Sequence, residues 1–442
     1  MYQESHPTLE PGPVPEGSLR TLAPPQLGIL EAEVWSRDPA AYTVVSAVRA
    51  EGVPDWNLLV HSARQVLGRH DVLSWHLVLD DGYRLTARAT PCAPQRDPVE
   101  ELDLRGDDAA HADVVIAQRL RCERGRVINL MDPAGLPHAR VLLFRTPCEP
   151  AGEGDTALCA LITHHALVDE FATTLLWSEI FQRATGQAVC DHYDCRYAQW
   201  SAASVSDSAA AAARHAAQEL AGHLGAHPLG IAEAPPQPGP APTPLHFTLP
   251  TPLHAAAVAR AAQLAVPPTA VYGAALSHTL CRRADDRPLV FHLPMTRRAP
   301  DVDHDIVGCY VSSVPVLARP PGDCDDRAQA IRRWQASLAF SSARSHADTA
   351  TLRTALGDRA TPRVSLAFEA PSTVRSAPPI RWKPLPAPDS TAKTPLAVFL
   401  APGSRNVAGS GRLLWQHGVL DGSSARDLVA TFLTNVGRYA RA

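Results

Sequence analysis

The sequence predicts a mixed α/β protein of two lobes, each a sheet flanked by helices. Three observations lead there. Apolar runs of strand length alternate with segments of helical apolar spacing along the whole chain, the pattern of helices laid on the faces of a sheet. The segment 233–244 (EAPPQPGPAPTP) holds six prolines in twelve residues. Proline fixes φ and lacks an N–H, so this stretch reads as a semi-rigid linker between two folded bodies. The third observation is size: 442 residues, 45% hydrophobic and 19% charged, suffice for about two or three domain-sized cores.

The elements follow in order. Residues 1–20 are polar and proline-rich, without the basic-then-apolar order of a signal peptide, and read as a flexible leader. A first lobe over 21–230 opens with an ordered segment at 24–33 and a β-rich strand at 42–49 (YTVVSAVR). Residues 56–68 show helical apolar spacing behind Asp55 in the N-cap position. The stretch 69–88 reads as strand, Asp-Asp-Gly turn and strand, a hairpin. A helix at 113–123 precedes two apolar runs suited to central strands, 138–145 (HARVLLFR) and 157–163 (ALCALIT). An apolar helix at 171–184 and an alanine-rich helix to about 224 complete the lobe.

Past a linker at 231–245, a second lobe over 246–442 begins with a strand at 246–249. Helices run to 264 and over 269–282, and strands are expected at 289–294 and 311–317. Then come a helix at 326–340, strands at 364–368 and 412–416, and a closing helix at 424–439.

Composition excludes several classes. The net charge is −4 and no basic stripe appears, which argues against nucleic acid as a partner. Of 41 basic residues only Lys383 and Lys393 are lysines, neither in a P-loop context, so a P-loop nucleotidase is excluded. No apolar run approaches the ~18 residues of a membrane span. Nine irregularly spaced cysteines suit a reducing compartment. The expectation is a soluble cytoplasmic enzyme that uses no membrane.

The sharpest local feature is Thr163-His164-His165-Ala166-Leu167-Val168-Asp169-Glu170, where an apolar strand delivers paired histidines and a helix starts beside the acid. A histidine at the end of a buried strand is fixed in orientation and partly desolvated, which favours the neutral form a general base needs. On the residues alone three other readings stay open: a hydrogen-bonded core histidine, a metal site without an evident third ligand, and an aspartate that only caps a helix.

The surroundings extend the pattern. Pro25-Gln26-Leu27-Gly28-Ile29, Arg69-His70-Asp71-Val72-Leu73, Tyr197-Ala198-Gln199-Trp200, Pro294-Met295-Thr296-Arg297-Arg298 and Val307-Gly308-Cys309-Tyr310-Val311-Ser312 follow in that order. With the H-H-x-x-x-D core they resemble, over about residues 20–440, the condensation-domain superfamily of nonribosomal peptide synthesis. That superfamily also includes acyltransferases of the chloramphenicol acetyltransferase type. The resemblance implies two chloramphenicol-acetyltransferase-like lobes in a V-shaped pseudo-dimer, with a tunnel between them. It implies that His165 is the base, with His164 beside it, and that Asp169 is structural and pairs with Arg297.

The reaction so implied joins an acyl or aminoacyl thioester to an amine or hydroxyl. The chain would bind no cofactor and no metal. Its donor is a phosphopantetheine thioester, carried by a separate acyl or peptidyl carrier protein or by coenzyme A. The acceptor is a small-molecule amine or alcohol, and a two-lobed chain can act as a monomer. No covalent acyl-enzyme is needed, and the chain has no G-x-S-x-G elbow.

Three positions depart from the family pattern. Glu170 stands where the family has glycine, so it either recognises a cationic acceptor or is a solvated acid at a helix start. Ser74 replaces an arginine, and Ser312 replaces an asparagine facing the substrates. The second lobe carries His417-Gly418-Val419-Leu420-Asp421-Gly422, an internal repeat of the first motif in which His417 is expected to be a relic. The leading reading is a free-standing condensation enzyme of specialised metabolism. The alternatives are a coenzyme-A-dependent acyltransferase and a catalytically silent module that recruits a partner.

Overall fold

Six strands form the sheet at the centre of the first unit of the computed structural model, in the order Arg375–Ala377, Ile380–Pro384, Thr43–Val53, Asp155–His164, Ala139–Arg145 and Val99–Asp103. Neighbours pair antiparallel except the last two, which run parallel. The residues described are 18–34, 36, 38, 40–89, 97–146, 155–187, 189, 192–223, 242–299, 303–320, 326–347, 349–357, 362–369, 375–385, 392–403 and 407–441.

The two central strands are apolar in unbroken runs because both of their faces are covered, and Val141 to Phe144 and Ala157 to Ile162 are almost wholly buried. Helix Glu170–Ala184 covers one part of this core, with Phe181 against Trp177 at 5.9 Å and against Trp382 at 4.9 Å. Full burial of a side chain such as Phe181 contributes about 1.5–3 kcal/mol. Helix Trp56–Arg69 presents Trp56, Leu59, Val60, Ala63, Val66 and Leu67 to the same core, and Asp55 caps it by accepting from the Leu58 N–H at 3.1 Å. The hairpin expected after it forms from strands Trp75–Leu79 and Leu85–Ala89. Asp80 fixes its turn by accepting from the backbone of Gly82 and Arg84.

The second unit has its own six-stranded sheet, ordered Val311–Ala318, Leu289–Thr296, Val364–Phe368, Leu396–Ala401, Gly409–Trp415 and Leu245–Leu249. Val364–Phe368 runs parallel to both of its neighbours. Helices Thr251–Leu264, Pro268–Arg283, Arg327–Ser342 and Gly422–Ala440 contribute to its core. Close packing of two of these helices depends on Gly273, where a Cβ would lie 2.0 Å from the Trp334 indole nitrogen.

The division of the chain corrects the expectation of two continuous lobes over 21–230 and 246–442. The first unit is Met1–Ser206 with Arg297–Val311 and Ser372–Ser390; the second is Asp207–Thr296 with Ser312–Pro371 and Thr391–Ala442. Two late segments therefore complete the first unit. Ile306, Val307 and Tyr310 enter its core, and strand Ile380–Pro384 pairs with Thr43–Val53, satisfying backbone groups that an open sheet edge would leave exposed. Of the expected linker 231–245, residues 231–241 lie outside the described residues, as do residues 1–17 of the expected leader 1–20, whose last two residues form the short strand Leu19–Arg20. Among the described residues no helix is long and apolar enough to cross a membrane.

Candidate functional site

The site is built where strand Asp155–His164 ends and helix Glu170–Ala184 begins. Strand pairing carries His164 to the sheet end opposite Thr43, and the next backbone N–H, that of His165, donates to the Tyr42 carbonyl at 2.8 Å. A tight turn follows, with the Leu167 N–H on the His164 carbonyl at 2.9 Å.

The two histidines sit in different hydrogen-bond surroundings. His164 is 1% exposed and both of its ring nitrogens are engaged. Nδ1 accepts from the Ala166 N–H at 3.1 Å, so the ring proton sits on Nε2, which donates to Glu33 at 3.1 Å. His165 is only partly buried, and its Nδ1 lies 3.0 Å from the Val168 carbonyl. A carbonyl can only accept, so in the neutral ring Nδ1 carries the proton and Nε2 keeps the lone pair. The backbone therefore selects the tautomer in which Nε2 of His165 can take a proton.

Asp169 is 2% exposed, and both of its carboxylate oxygens accept hydrogen bonds. Its Oδ1 caps the following helix by accepting from the Ala172 N–H at 2.7 Å, and its Oδ2 accepts from the Tyr310 N–H at 3.0 Å. An arginine also reaches it, but this corrects the expectation for Arg297: the partner is Arg298, whose terminal nitrogen sits 3.0 and 3.3 Å from the two carboxylate oxygens. Both arginines lie just past the end of strand Leu289–Thr296, where the regular alternation of a strand no longer sets which side chain faces Asp169. The Arg297 group lies over Trp200, 5.4 Å from the ring centroid, while its backbone N–H donates to the Tyr310 carbonyl. Arg298 also donates to the carbonyls of Asp303, Ile306 and Gly308 and stacks on Tyr310 at 4.1 Å and Phe171 at 4.8 Å.

Gly308 is required by its surroundings, since a Cβ there would meet the Tyr197 ring at 2.0 Å. Its carbonyl also receives the Asp169 N–H at 3.3 Å. This accounts for the V-G segment in the sequence. The Y-A-x-W segment has a matching explanation: Tyr197 and Trp200 pack on Tyr310 at 5.3 and 4.1 Å, and the Tyr197 hydroxyl donates to the Cys309 carbonyl at 2.7 Å.

The remaining candidates are not all brought to this cluster. Glu170 is exposed at the first position of its helix, where the helix dipole favours an acid. Ser312 is buried on strand Val311–Ala318 of the second unit. Ser74, in place of an arginine, donates to the Asp71 carbonyl at 2.8 Å. Arg20 holds both oxygens of the same Asp71 at 2.9 and 3.0 Å.

Sequence reasoning missed the Arg20–Asp71 pair and the contacts of Gln26 with Ala166 and of Glu33 with His164. The seven-residue spacing of Gln26 and Glu33, about two helical turns, was the available signal.

The repeat in the second unit has the same local architecture and a different environment. Asp421 caps helix Gly422–Ala440 by accepting from the Ser424 N–H at 2.7 Å, matching the bond from Asp169 to Ala172. Asp421 and His417 are both exposed, however. Among the described residues no group of three or more His, Cys, Asp or Glu is placed to hold a metal.

Neither a protein-family model nor a curated protein matches the sequence. Solved structures do match in fold. The first condensation domain of the calcium-dependent antibiotic synthetase, in complex with a substrate analogue, is 16% identical with a TM-score of 0.75, over 96% of this chain and 97% of that one. The fold is that of a condensation domain. The SgcC5 protein from Streptomyces globisporus shares this condensation-domain fold at 16% identity and a TM-score of 0.74, over 95% of this chain and 98% of its own. The X-domain from teicoplanin biosynthesis does so at 17% identity and 0.74, over 98% and 97%.

Proposed function

We propose that the chain is an acyltransferase of the condensation type, with His165 as general base. The observation that carries this reading is the His165 tautomer. The Val168 carbonyl fixes the proton on Nδ1, which leaves Nε2 of a partly buried ring as the acceptor. The fold shared with condensation domains supports the choice of reaction. The acceptor amine or hydroxyl loses its proton to Nε2 as its nitrogen or oxygen attacks the thioester carbonyl. The new C–N or C–O bond forms, the C–S bond breaks, and the imidazolium returns the proton to the leaving thiolate. Proton transfer of this kind contributes roughly 10²–10⁴-fold, and alignment of the two substrates contributes at least as much.

Asp169 and Arg298 hold the turn from which His165 projects and exchange no proton with substrate. The donor in this reading is a phosphopantetheine thioester on a carrier protein, the acceptor a small amine or alcohol, and the chain supplies no cofactor of its own. Glu170, exposed at the helix start, is assigned to substrate recognition, toward a cationic acceptor.

A second reading has one supporting observation. An X-domain of this fold has been solved in complex with OxyB, at 16% identity and a TM-score of 0.75 to this chain, which favours recruitment of a protein partner.

The deciding experiment measures acyl transfer from a panel of carrier-bound and coenzyme-A thioesters to mixed amines and alcohols, with wild type, His165→Ala and His417→Ala in parallel. The expected result is product formation that falls roughly 10²–10⁴-fold in His165→Ala alone. Loss in His417→Ala alone would reassign the site. No turnover together with tight carrier-protein binding would establish the recruitment reading.

A further inference from the structure

Helix Pro24–Val34 supplies two side chains to the histidine turn. Gln26 is 0% exposed, and its amide is oriented by its own bonds: Oε1 accepts from the Ala23 N–H at 3.0 Å, and Nε2 donates to the Ala166 carbonyl at 3.0 Å. Seven residues on, and so on the same face of the helix, Glu33 accepts from Nε2 of His164. The other nitrogen of that ring accepts from the Ala166 N–H. Ala166 is thus held at both of its backbone polar groups, by Gln26 at the carbonyl and by the Glu33–His164 pair at the N–H. It is the residue next to His165, inside the turn whose Val168 carbonyl sets the His165 tautomer.

We infer that Gln26 and Glu33 are positioning residues for His165, acting through the backbone of Ala166. The inference rests on the acyl-transfer reading for its kinetic consequences but not for its structural ones. Neither side chain touches the reacting atoms. Each restrains the turn, and the turn restrains the imidazole. Burial favours the protonated acid at position 26, whose O–H can still donate to the Ala166 carbonyl. Once ionised at alkaline pH it keeps the acceptor for Ala23 but has no proton for Ala166, so Gln26→Glu then sets two acceptors face to face in a buried site. That repulsion costs more than a missing bond, because an unpaired buried polar group also loses its hydration. At position 33 the requirement is only an acceptor, so an amide can serve.

Two measurements test this on the full-length protein. Imidazole nitrogen NMR reports the His165 tautomer without any substrate. Wild type is expected to show Nδ1 protonated. Gln26→Glu at alkaline pH and Glu33→Ala are expected to show exchange between tautomers, and Glu33→Gln to regain the wild-type pattern. In acyl-transfer assays the same variants should lower kcat about tenfold or more with acceptor KM little changed, since geometry rather than affinity is lost. Glu33→Gln should recover most of that loss.

A wild-type tautomer signature in both Gln26→Glu at alkaline pH and Glu33→Ala, each folded by circular dichroism, would overturn the inference whatever the activity. The expected tautomer changes in a protein that transfers no acyl group would instead uphold the positioning role and sink the acyltransferase reading.

Discussion

One terminal nitrogen of Arg298 sits 3.0 Å from one carboxylate oxygen of Asp169 and 3.3 Å from the other, across 129 residues of sequence. Both side chains are almost fully buried. The pair is the structural centre of the site because Asp169 also caps the helix that follows the histidines.

Removal of one partner leaves a buried charge uncompensated, and such losses run to roughly 3–5 kcal/mol. Arg298→Ala should therefore lower the denaturant midpoint strongly, while Arg297→Ala should lower it much less. Equilibrium urea unfolding of the two variants separates them, and equal losses would undo the assignment of Arg298.

The exposed counterpart offers a contrast. Asp421 makes the same capping bond as Asp169 but among the described residues pairs with no arginine, and capping by the Ser424 N–H and Ser423 hydroxyl lowers its pKa to about 2. Asp421→Ala should leave acyl transfer at the wild-type level, whereas Asp169→Ala should abolish it. A turnover assay on the two purified variants is sufficient, and loss in Asp421→Ala would show that the second copy is functional.

A buried ionic cluster makes stability depend on pH. His70 lies 2.8 Å from Glu179 and 3.7 Å from Asp194, Glu179 also meets Arg69 and Arg183, and Asp194 meets Arg196. Burial opposes the imidazolium of His70, but Asp194 and Glu179 outweigh it and raise its pKa. Burial likewise opposes the charges of Glu179 and Asp194, yet His70 with their arginines holds both pKa values below the ordinary range.

The His70 contribution is complete below its unfolded value of about 6.5 and is lost as pH rises through the raised folded value. The carboxylate contributions are complete above about 4 and are lost as pH falls through the lowered values. Unfolding free energy against pH should therefore peak between about 4.5 and 6.5, and Glu179→Gln should flatten both limbs. A curve whose shape is unchanged in that variant would show that the cluster is not its source.

Gly308 gives a steric prediction. Gly308→Ala places a methyl group 2.0 Å from a Tyr197 ring carbon, and overpacking of this kind costs about 1–3 kcal/mol. Tyr197→Leu in the same background should recover part of the loss in thermal unfolding, because it removes the ring that the methyl group strikes.

The long apolar strands and the helices behind Asp55 and Asp169 were legible because burial on both faces and capping leave local signatures. The strand Ile380–Pro384 was not, since its central Arg381, Trp382 and Lys383 alternate as any exposed edge strand does and its partner is far away in sequence. Strand Leu396–Ala401 lacked flanking turn signals strong enough to set it apart from the glycine-bearing stretch after it. At the site, the sequence already placed His165 just past the end of an apolar strand and Asp169 at a helix start. Whether Arg297 or Arg298 meets Asp169 depends on the local direction of an irregular segment, which periodicity does not encode. The role of Gln26 depends on a bond to a backbone carbonyl 140 residues away, and no side-chain pattern records a carbonyl.

The late segment Arg297–Val311 carries a consequence for how the protein is made. During synthesis the histidine turn is complete long before Arg298 leaves the ribosome, so Asp169 waits without its cation while more than a hundred residues are added. The nascent first unit also lacks the strand Ile380–Pro384 that covers one edge of its sheet. A gene truncated after Ser206 should yield an aggregation-prone product, and supplying the missing stretch as a separate polypeptide should restore solubility.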